Sequence, residues 1–251
     1  VTGSGGMLLG RIKEFGPKVK GNIGDRICTL VSLSLTPLGI KKIKKVHLDT
    51  DQIDIEGHAV IFESGVFSAI PEDLGDKLSL AILDVAGAPA QTEKLVKEGD
   101  TVFILGAGGK SGLLCSTVAK QKAGSGGKVI GLDSSEAAKK RLEQLGVCDQ
   151  VFLGDAKDAI TTMNQVISHN DGQKADLTIN CVNIHGTEMA SILSTKDGGK
   201  VYFFSMGAEG VGADVELLIG NGYTKGHAKY SLDLVRNNDS IRSILEEMFL
   251  S

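Results

Sequence analysis

No stretch of this chain holds the ~18 to 20 consecutive apolar residues that a bilayer-spanning helix needs, and no basic segment followed by a hydrophobic one opens it. Membrane insertion and a cleaved leader are therefore not expected, and a cytoplasmic location is. Cysteine pairs are also missing: Cys28, Cys115, Cys148 and Cys181 lie 33 or more residues apart, with no C-x-x-C anywhere. Each sits in an apolar or helical setting, which predicts reduced, mostly buried thiols. Neither charge sign dominates, since 27 basic against 31 acidic residues leave a net charge of -4. The run Lys41-Lys-Ile-Lys-Lys45 is too short for a nucleic-acid surface and reads as a solvated face. Tryptophan is absent and prolines number four, against 33 glycines. That turn-rich composition suits short strands alternating with helices, and 41% hydrophobic residues suffice for one substantial core or two modest ones.

From about Asp100 the pattern is regular. Thr101–Leu105 is an apolar strand, and a helix follows over Leu113–Ala123. Lys128–Asp133 is the next strand. Ser134 and Ser135 offer a cap for a helix that ends at Gly146. A strand at Gln150–Leu153, a helix through Ile160–Ser168, a strand at Asp176–Val182, a helix at Thr187–Leu193 and a strand at Lys200–Phe204 continue the series. Strands and helices alternating in this order predict a Rossmann-type, doubly wound parallel sheet in an α/β fold. Residues 1–95 read differently, with short β-rich pieces such as Arg26–Leu33 and Ala59–Phe62 and many turns. They are expected to form part of a separate β-rich domain whose N-terminal portion is missing, with the dinucleotide-binding domain spanning 96–251.

Between the first strand and its helix stands Gly106-Ala-Gly-Gly-Lys-Ser-Gly112. Glycines in such a place serve a tight turn, a close approach of backbone to pyrophosphate, and close helix–strand packing, while the helix N-terminus offers unpaired N–H groups. Gly106, Ala107, Gly109, Lys110, Ser111 and Gly112 are the predicted pyrophosphate-binding residues. The spacing is G-x-x-G-x-x-G, since Ser111 stands where a strict G-x-G-x-x-G needs glycine. Asp133 strengthens the reading: it ends the second strand 21 residues after Gly112, where a carboxylate can accept hydrogen bonds from a ribose diol. Its charge would repel a 2'-phosphate, and Ser134 and Ser135 supply no arginine beside it, so NAD is expected over NADP. A phosphate loop of the G-x-x-x-x-G-K-[ST] type would need glycine at Ile104, and a methyltransferase usually places an acid just before its glycines, where this chain has Phe103-Ile-Leu105. Later strand ends should face the cofactor too, which adds Asn180, Val182 and Ser205, with Asn183 and Met206 beside them; ordinary loop capping is the competing reading for Asn180, Asn183 and Ser205.

A β-rich part followed by this nucleotide unit resembles the medium-chain dehydrogenase/reductase superfamily. Val1-Thr-Gly-Ser-Gly-Gly-Met7, Thr29-Leu-Val-Ser-Leu-Ser-Leu-Thr-Pro-Leu38, Phe62-Glu-Ser-Gly65, Leu83-Asp-Val-Ala-Gly-Ala-Pro-Ala-Gln91, Ile179-Asn-Cys-Val-Asn183 and Gly207-Ala-Glu-Gly-Val-Gly212 narrow the match. They resemble the L-erythro-3,5-diaminohexanoate dehydrogenase family, along essentially the whole chain. The resemblance implies a partial GroES-like first domain and NAD-dependent oxidative deamination of (3S,5S)-3,5-diaminohexanoate, with 5-amino-3-oxohexanoate and ammonia as products of this step in lysine fermentation. A homodimer is expected from the superfamily. The family carries several tens of residues before Thr2-Gly-Ser-Gly5 and a longer segment between Met206 and Gly207.

Removing hydride from a carbon that bears nitrogen needs a neutral amine and a base, and hydrolysis of the resulting iminium needs further proton transfer. A substrate with two ammonium groups and a carboxylate calls for acids and a cation in the site. Glu63 and Asp84, read as interior acids flanked by apolar residues, are the candidate catalytic groups. Glu188, His185 and His58 are weaker candidates, since an acid in a first helical turn and a lone histidine in a polar loop have ordinary structural explanations. Two rivals remain: a zinc-independent quinone or enoyl reductase, which shares the glycine spacing but typically prefers NADPH, and a non-catalytic NAD-binding module.

Zinc ligands are not apparent. Gly3-Ser-Gly-Gly-Met7 takes the place of the superfamily's usual Gly-His-Glu, and no cysteine cluster resembles a structural zinc site. Elemental analysis of the purified protein is expected to find no stoichiometric zinc; one equivalent per chain would overturn this.

Overall fold

The computed structural model describes residues 6–17, 19, 21–30, 36–63, 65–204, 215–219 and 225–250. The chain divides into two compact units, Val1–Leu80 and Ala81–Ser251. In the first, β1 (Leu9–Arg11), β2 (Arg26–Thr29) and β5 (Phe67–Ala69) form an antiparallel sheet in the order β1-β2-β5. A hairpin of β3 (Leu38–His47) and β4 (Gln52–Ala59) stands beside them in sequence, with Lys41, Lys42, Lys44 and Lys45 exposed as a solvated strand surface. His58 packs across that hairpin, its ring lying where a side chain on the opposing Gly39 would be. An ion pair between Arg26 and Asp76 ties β2 to the start of α1 (Asp76–Asp84).

Two helices, α1 and α2 (Gly87–Leu95), occupy ground that the sequence reading assigned to the β-rich part. The split between units falls within α1 at Leu80/Ala81, whereas the sequence reading set it after residue 95. A physical reason is visible: α2 buries Ala88, Ala90 and Leu95 and packs on α3 (Lys110–Ala123) and α7 (His227–Arg236), both in the second unit.

That second unit carries the parallel sheet, ordered β11-β10-β9-β6-β7-β8. Its strands are β6 (Thr101–Leu105), β7 (Lys128–Asp133), β8 (Gln150–Leu153), β9 (Ala175–Asn180), β10 (Thr195–Phe203) and β11 (Val215–Ile219), all paired in parallel. Between them run α3, α4 (Glu136–Leu145), α5 (Ala159–His169) and α6 (Glu188–Ser194), with α7 and α8 (Asp239–Leu250) closing the chain. By mutual contacts the helices sort into α2, α3, α4, α7 and α8 on one hand and α5 with α6 on the other, two layers for the two faces of the sheet. Val102, Phe103, Ile104 and Leu105 are wholly buried, which is why β6 reads as a continuous apolar run: a central parallel strand is covered on both faces. The strand order reverses between β6 and β9, and the crevice at their carboxyl ends is the place where such sheets bind ligands.

Local signals act as expected around α4. Ser135 accepts a hydrogen bond from the Ala138 N–H, and Gly146 ends the helix in the left-handed conformation. The first helix begins earlier than its apolar stripe suggested, at Lys110, because Gly109 already has the geometry of a helix N-cap. Strand β9 stops at Asn180, since the Asn180 side-chain oxygen accepts the Val182 N–H and turns the chain.

The β6–α3 turn closes on bare backbone. A Cβ on Gly112 would lie 2.2 Å from the Gly106 carbonyl oxygen and 2.5 Å from the Ala107 Cα, neither of which can move aside. Gly112→Ala is expected to cost about 3 kcal/mol in urea unfolding, at the upper end of overpacking effects. Gly126→Ala, where nothing lies within 4 Å of the added carbon, should stay within about 0.5 kcal/mol of the parent.

Candidate dinucleotide-binding site

Gly106 opens the turn at φ 71°, a conformation that glycine enters without the usual Cβ penalty. The N–H groups of Gly106 and Ala107 both donate to the Leu132 carbonyl, at 2.9 and 3.1 Å, so the turn starts by hydrogen-bonding across to β7. Gly109 donates to the Gly106 carbonyl at 3.2 Å, and the first intrahelical bond of α3 runs from Leu113 to Gly109. No side chain caps this helix, which leaves the Lys110, Ser111 and Gly112 amides at a positive dipole end. Ala107 and Ser111 are buried, while Gly106, Gly109 and Lys110 are partly open.

Gly108 is the residue that sequence reasoning passed over. A Cβ there would sit 2.5 Å from the Ala138 carbonyl oxygen on α4, so a second helix backbone approaches the turn from the side. The Gly108 N–H donates to the Asp133 carboxylate at 3.0 Å, and its carbonyl accepts from the Arg141 Nε at 3.0 Å. The other Asp133 oxygen accepts the Ser134 N–H at 2.8 Å. Asp133 therefore holds the turn through one oxygen, accepts from its neighbour Ser134 through the other, and keeps acceptor capacity for a diol. Gly108 was readable in the string of glycines; Arg141 was not, because only the packing of α4 onto the turn brings it there.

Across the crevice, Asn180 is buried and committed to the protein. Its amide donates to the Thr187 hydroxyl and the Ser191 hydroxyl, each at 3.0 Å, while its oxygen holds Val182. The side chain shapes the loop after β9, the capping function weighed against a cofactor contact. Val182 packs against the turn: its Cγ2 is 3.0 Å from where a Gly106 Cβ would lie. Asn183 and His185 are exposed, and the Glu188 carboxylate accepts the Gly186 N–H at 2.9 Å within its own loop. Ser205 and Met206 lie outside the described residues.

The two candidate catalytic acids are not interior. Asp84, at the end of α1, has its side chain about half exposed (49%) and pairs with the Lys110 Nζ at 2.6 Å. It belongs to the same unit as the glycine turn, not to the β-rich part, because the apolar residues around it serve helical packing. Lys110, read as a cofactor contact, has its ammonium on Asp84 and over the Phe249 ring at 5.7 Å, so its backbone N–H is what faces the turn. Glu63 is exposed, in a tight turn closed by Gly65 N–H donating to the Phe62 carbonyl at 2.7 Å. Among the described residues no three His, Cys, Asp or Glu side chains are grouped to hold a metal, and no helix is long and apolar enough to cross a membrane.

Comparison with known proteins agrees with this architecture and goes further. Residues 1–71 match the family of L-erythro-3,5-diaminohexanoate dehydrogenase N-terminal domains. The L-erythro-3,5-diaminohexanoate dehydrogenase of Acetoanaerobium sticklandii is 49% identical over 100% of this chain and 76% of its own length. Its counterpart from Fusobacterium nucleatum subsp. nucleatum is 43% identical over the same shares. Among solved structures, a mycobacterial protein in complex with NADPH superimposes with a TM-score of 0.63 at 18% identity, covering 96% of this chain and 77% of that one, a likeness of fold alone. The chain belongs to the L-erythro-3,5-diaminohexanoate dehydrogenase family of oxidoreductases, built on a medium-chain dehydrogenase/reductase fold.

Proposed function

We propose that this chain catalyses the NAD-dependent oxidative deamination of (3S,5S)-3,5-diaminohexanoate to 5-amino-3-oxohexanoate and ammonia, in lysine fermentation. The substrate follows from membership of the family. The observation that carries the cofactor is the Asp133 carboxylate at the end of β7, hydrogen-bonded to the Gly108 amide of the turn. That pairing places a fixed anion beside an amide-lined, glycine-walled helix N-terminus. A dinucleotide would lay its pyrophosphate on the amides of Lys110, Ser111 and Gly112, against the turn formed by Gly106, Ala107 and Gly109, and its ribose diol on Asp133 and Ser134. Val182 and the loop shaped by Asn180 would border the nicotinamide end, where Ser205 is proposed to join them. A 2'-phosphate would meet the Asp133 charge, which favours NAD.

Bound there, the nicotinamide supplies the hydride acceptor; the protein's residues have the remaining work. The 3-amino group must lose a proton before its lone pair can form C=N, and water must then add to the iminium carbon before ammonia leaves. Glu63 is proposed as the acid that takes and returns these protons, its exposed turn giving access to solvent. Asp84 is proposed to hold Lys110 and, through it, the start of α3, with a direct catalytic part as the alternative. A homodimer in the cytoplasm is the proposed working form.

Following absorbance of reduced nicotinamide with 3,5-diaminohexanoate should show NAD-dependent turnover, and a tenfold preference for NADP(H) would overturn the cofactor assignment. Activity with enones but not with the diamino acid would favour a reductase instead. Asp133→Ala should raise KM for NAD by about 10- to 100-fold, equivalent to about 1.4 to 2.8 kcal/mol, with a smaller effect on kcat. Glu63→Gln should lower kcat by about 10² or more with NAD affinity intact. For Asp84→Asn, a weakened affinity for NAD with kcat retained marks the positioning role, and a fall in kcat alone marks a catalytic one.

A further inference from the structure

The carboxylate of Asp133 sits where a bound anion could. It accepts the Gly108 N–H at 3.0 Å on one oxygen and the Ser134 N–H at 2.8 Å on the other, two backbone donors from two different segments. Converging amides of this kind bind phosphate groups, and here the chain's own anion holds them.

A cation stands beside them. Arg141 of α4 gives its Nε to the Gly108 carbonyl at 3.0 Å, so one glycine carries an acid on its N–H and an arginine on its C=O. Long side chains on a helix lean toward its N-terminus, which for α4 is the end that follows Asp133 and Ser134. Among the described residues Arg141 makes no other hydrogen bond, ion pair or ring contact, so both Nη groups of a half-buried guanidinium are unspent. Its neighbours are differently placed. Lys139 is paired along the helix with Glu143 at 3.7 Å, Lys140 is exposed, Ser135 is committed to the helix cap, and Glu136, the acid of the first turn, is exposed. The sequence has no arginine beside Asp133; the packing of Ala138 against Gly108 brings one there from the second turn of α4.

We propose that these groups form a 2'-phosphate subsite closed by Asp133. NADP is then excluded by that one carboxylate and not by want of a cation, and Arg141 is the specificity-determining residue that receives the phosphate once the carboxylate is gone. A ribose whose diol lies on Asp133 holds its 2'-oxygen at that carboxylate, so a phosphate there meets like charge and amides already occupied. With the carboxylate removed, the Gly108 and Ser134 amides are open to the phosphate, and the guanidinium adds its planar pair of Nη donors from the α4 side. This rests on the cofactor reading above and adds to it which group discriminates and which one binds.

Calorimetric titration of the whole protein with NAD and NADP, and with 5'-AMP and 2',5'-ADP as short probes, tests the subsite in the parent, Asp133→Ala, Arg141→Met and the double variant. In Asp133→Ala the ratio of the NADP Kd to the NAD Kd should fall by about 100-fold, about tenfold of it from a tighter NADP complex. Adding Arg141→Met should raise that ratio again by about tenfold or more, the loss of a charge-assisted pair, with 2',5'-ADP following NADP and 5'-AMP following NAD. Arg141→Met alone should move the ratio by less than about threefold, because the carboxylate still closes the subsite and the two substitutions are coupled. Asp133→Asn, which keeps an acceptor for the Gly108 amide, replaces Asp133→Ala if that variant does not fold, with the same direction expected. An Arg141 that does no more than hold the Gly108 carbonyl would weaken both cofactors alike, so an equal ratio in Asp133→Ala and the double variant overturns its role. A parent that binds NAD, with no Asp133 variant gaining affinity for NADP, overturns the subsite and leaves the cofactor reading standing. A parent that binds neither NAD nor 5'-AMP overturns the cofactor reading, and the subsite with it.

Discussion

Three glycines let three backbones meet where side chains would keep them apart. Gly112 rests on the Gly106 carbonyl, Gly108 on the Ala138 carbonyl of α4, and Gly106 against Val182 from the loop after β9. With a Cβ at Gly112 or Gly108, α3 would stand off the sheet or α4 would move away, and at Gly106 the Val182 side chain would have to give. The amides at the start of α3 are presented as a set because the turn beneath them cannot shift. Close packing of this kind is all-or-nothing: backbone atoms have no alternative rotamer into which an added methyl could push them.

Polar groups then finish what sterics begin. Asp133 holds the Gly108 N–H and Arg141 the Gly108 carbonyl, so one peptide unit of the turn is gripped from β7 and from α4 at once. Asn180 works similarly on the opposite wall, joining the end of β9 to Thr187 and Ser191 near and on α6. Both arrangements satisfy groups that would be costly to bury unpaired, and neither draws on the first amides of α3. An ion pair between Asp84 and Lys110 adds a link from α1 to the same helix start. Being part-exposed, it fixes geometry more than it stabilises.

The order of strands, turn and helices read from sequence over residues 101–146 was accurate because its signals are local. A strand buried on both faces must be apolar throughout, a turn that admits no Cβ must be glycine, and Ser135 and Gly146 cap a helix through bonds to residues three or four positions away. Asp84 and Glu63 show the opposite case. Apolar neighbours in sequence suggested interior acids, yet in a helix such as α1 neighbours point to different sides, and beside Glu63 the apolar Phe62 is itself exposed. Residues 81–95 were assigned to the β-rich part for a related reason: alanines, a glycine and a proline in short runs carry little periodicity, and only packing of α2 on α3 and α7 shows that they belong to the second unit.

By itself the sequence determined the doubly wound order of strands, the place of the glycine turn, the acid that ends β7 and the resemblance to amine-oxidising dehydrogenases, since each is written in residue type at fixed spacing. Tertiary structure decided which groups stand around that turn. Arg141 on the Gly108 carbonyl and Lys110 turned to Asp84 are pairings between distant parts of the chain, and Asn180 is spent on Thr187 and Ser191 across the loop after β9. No local pattern encodes them, because a side chain's partner depends on how helices pack across the sheet and not on its neighbours in sequence.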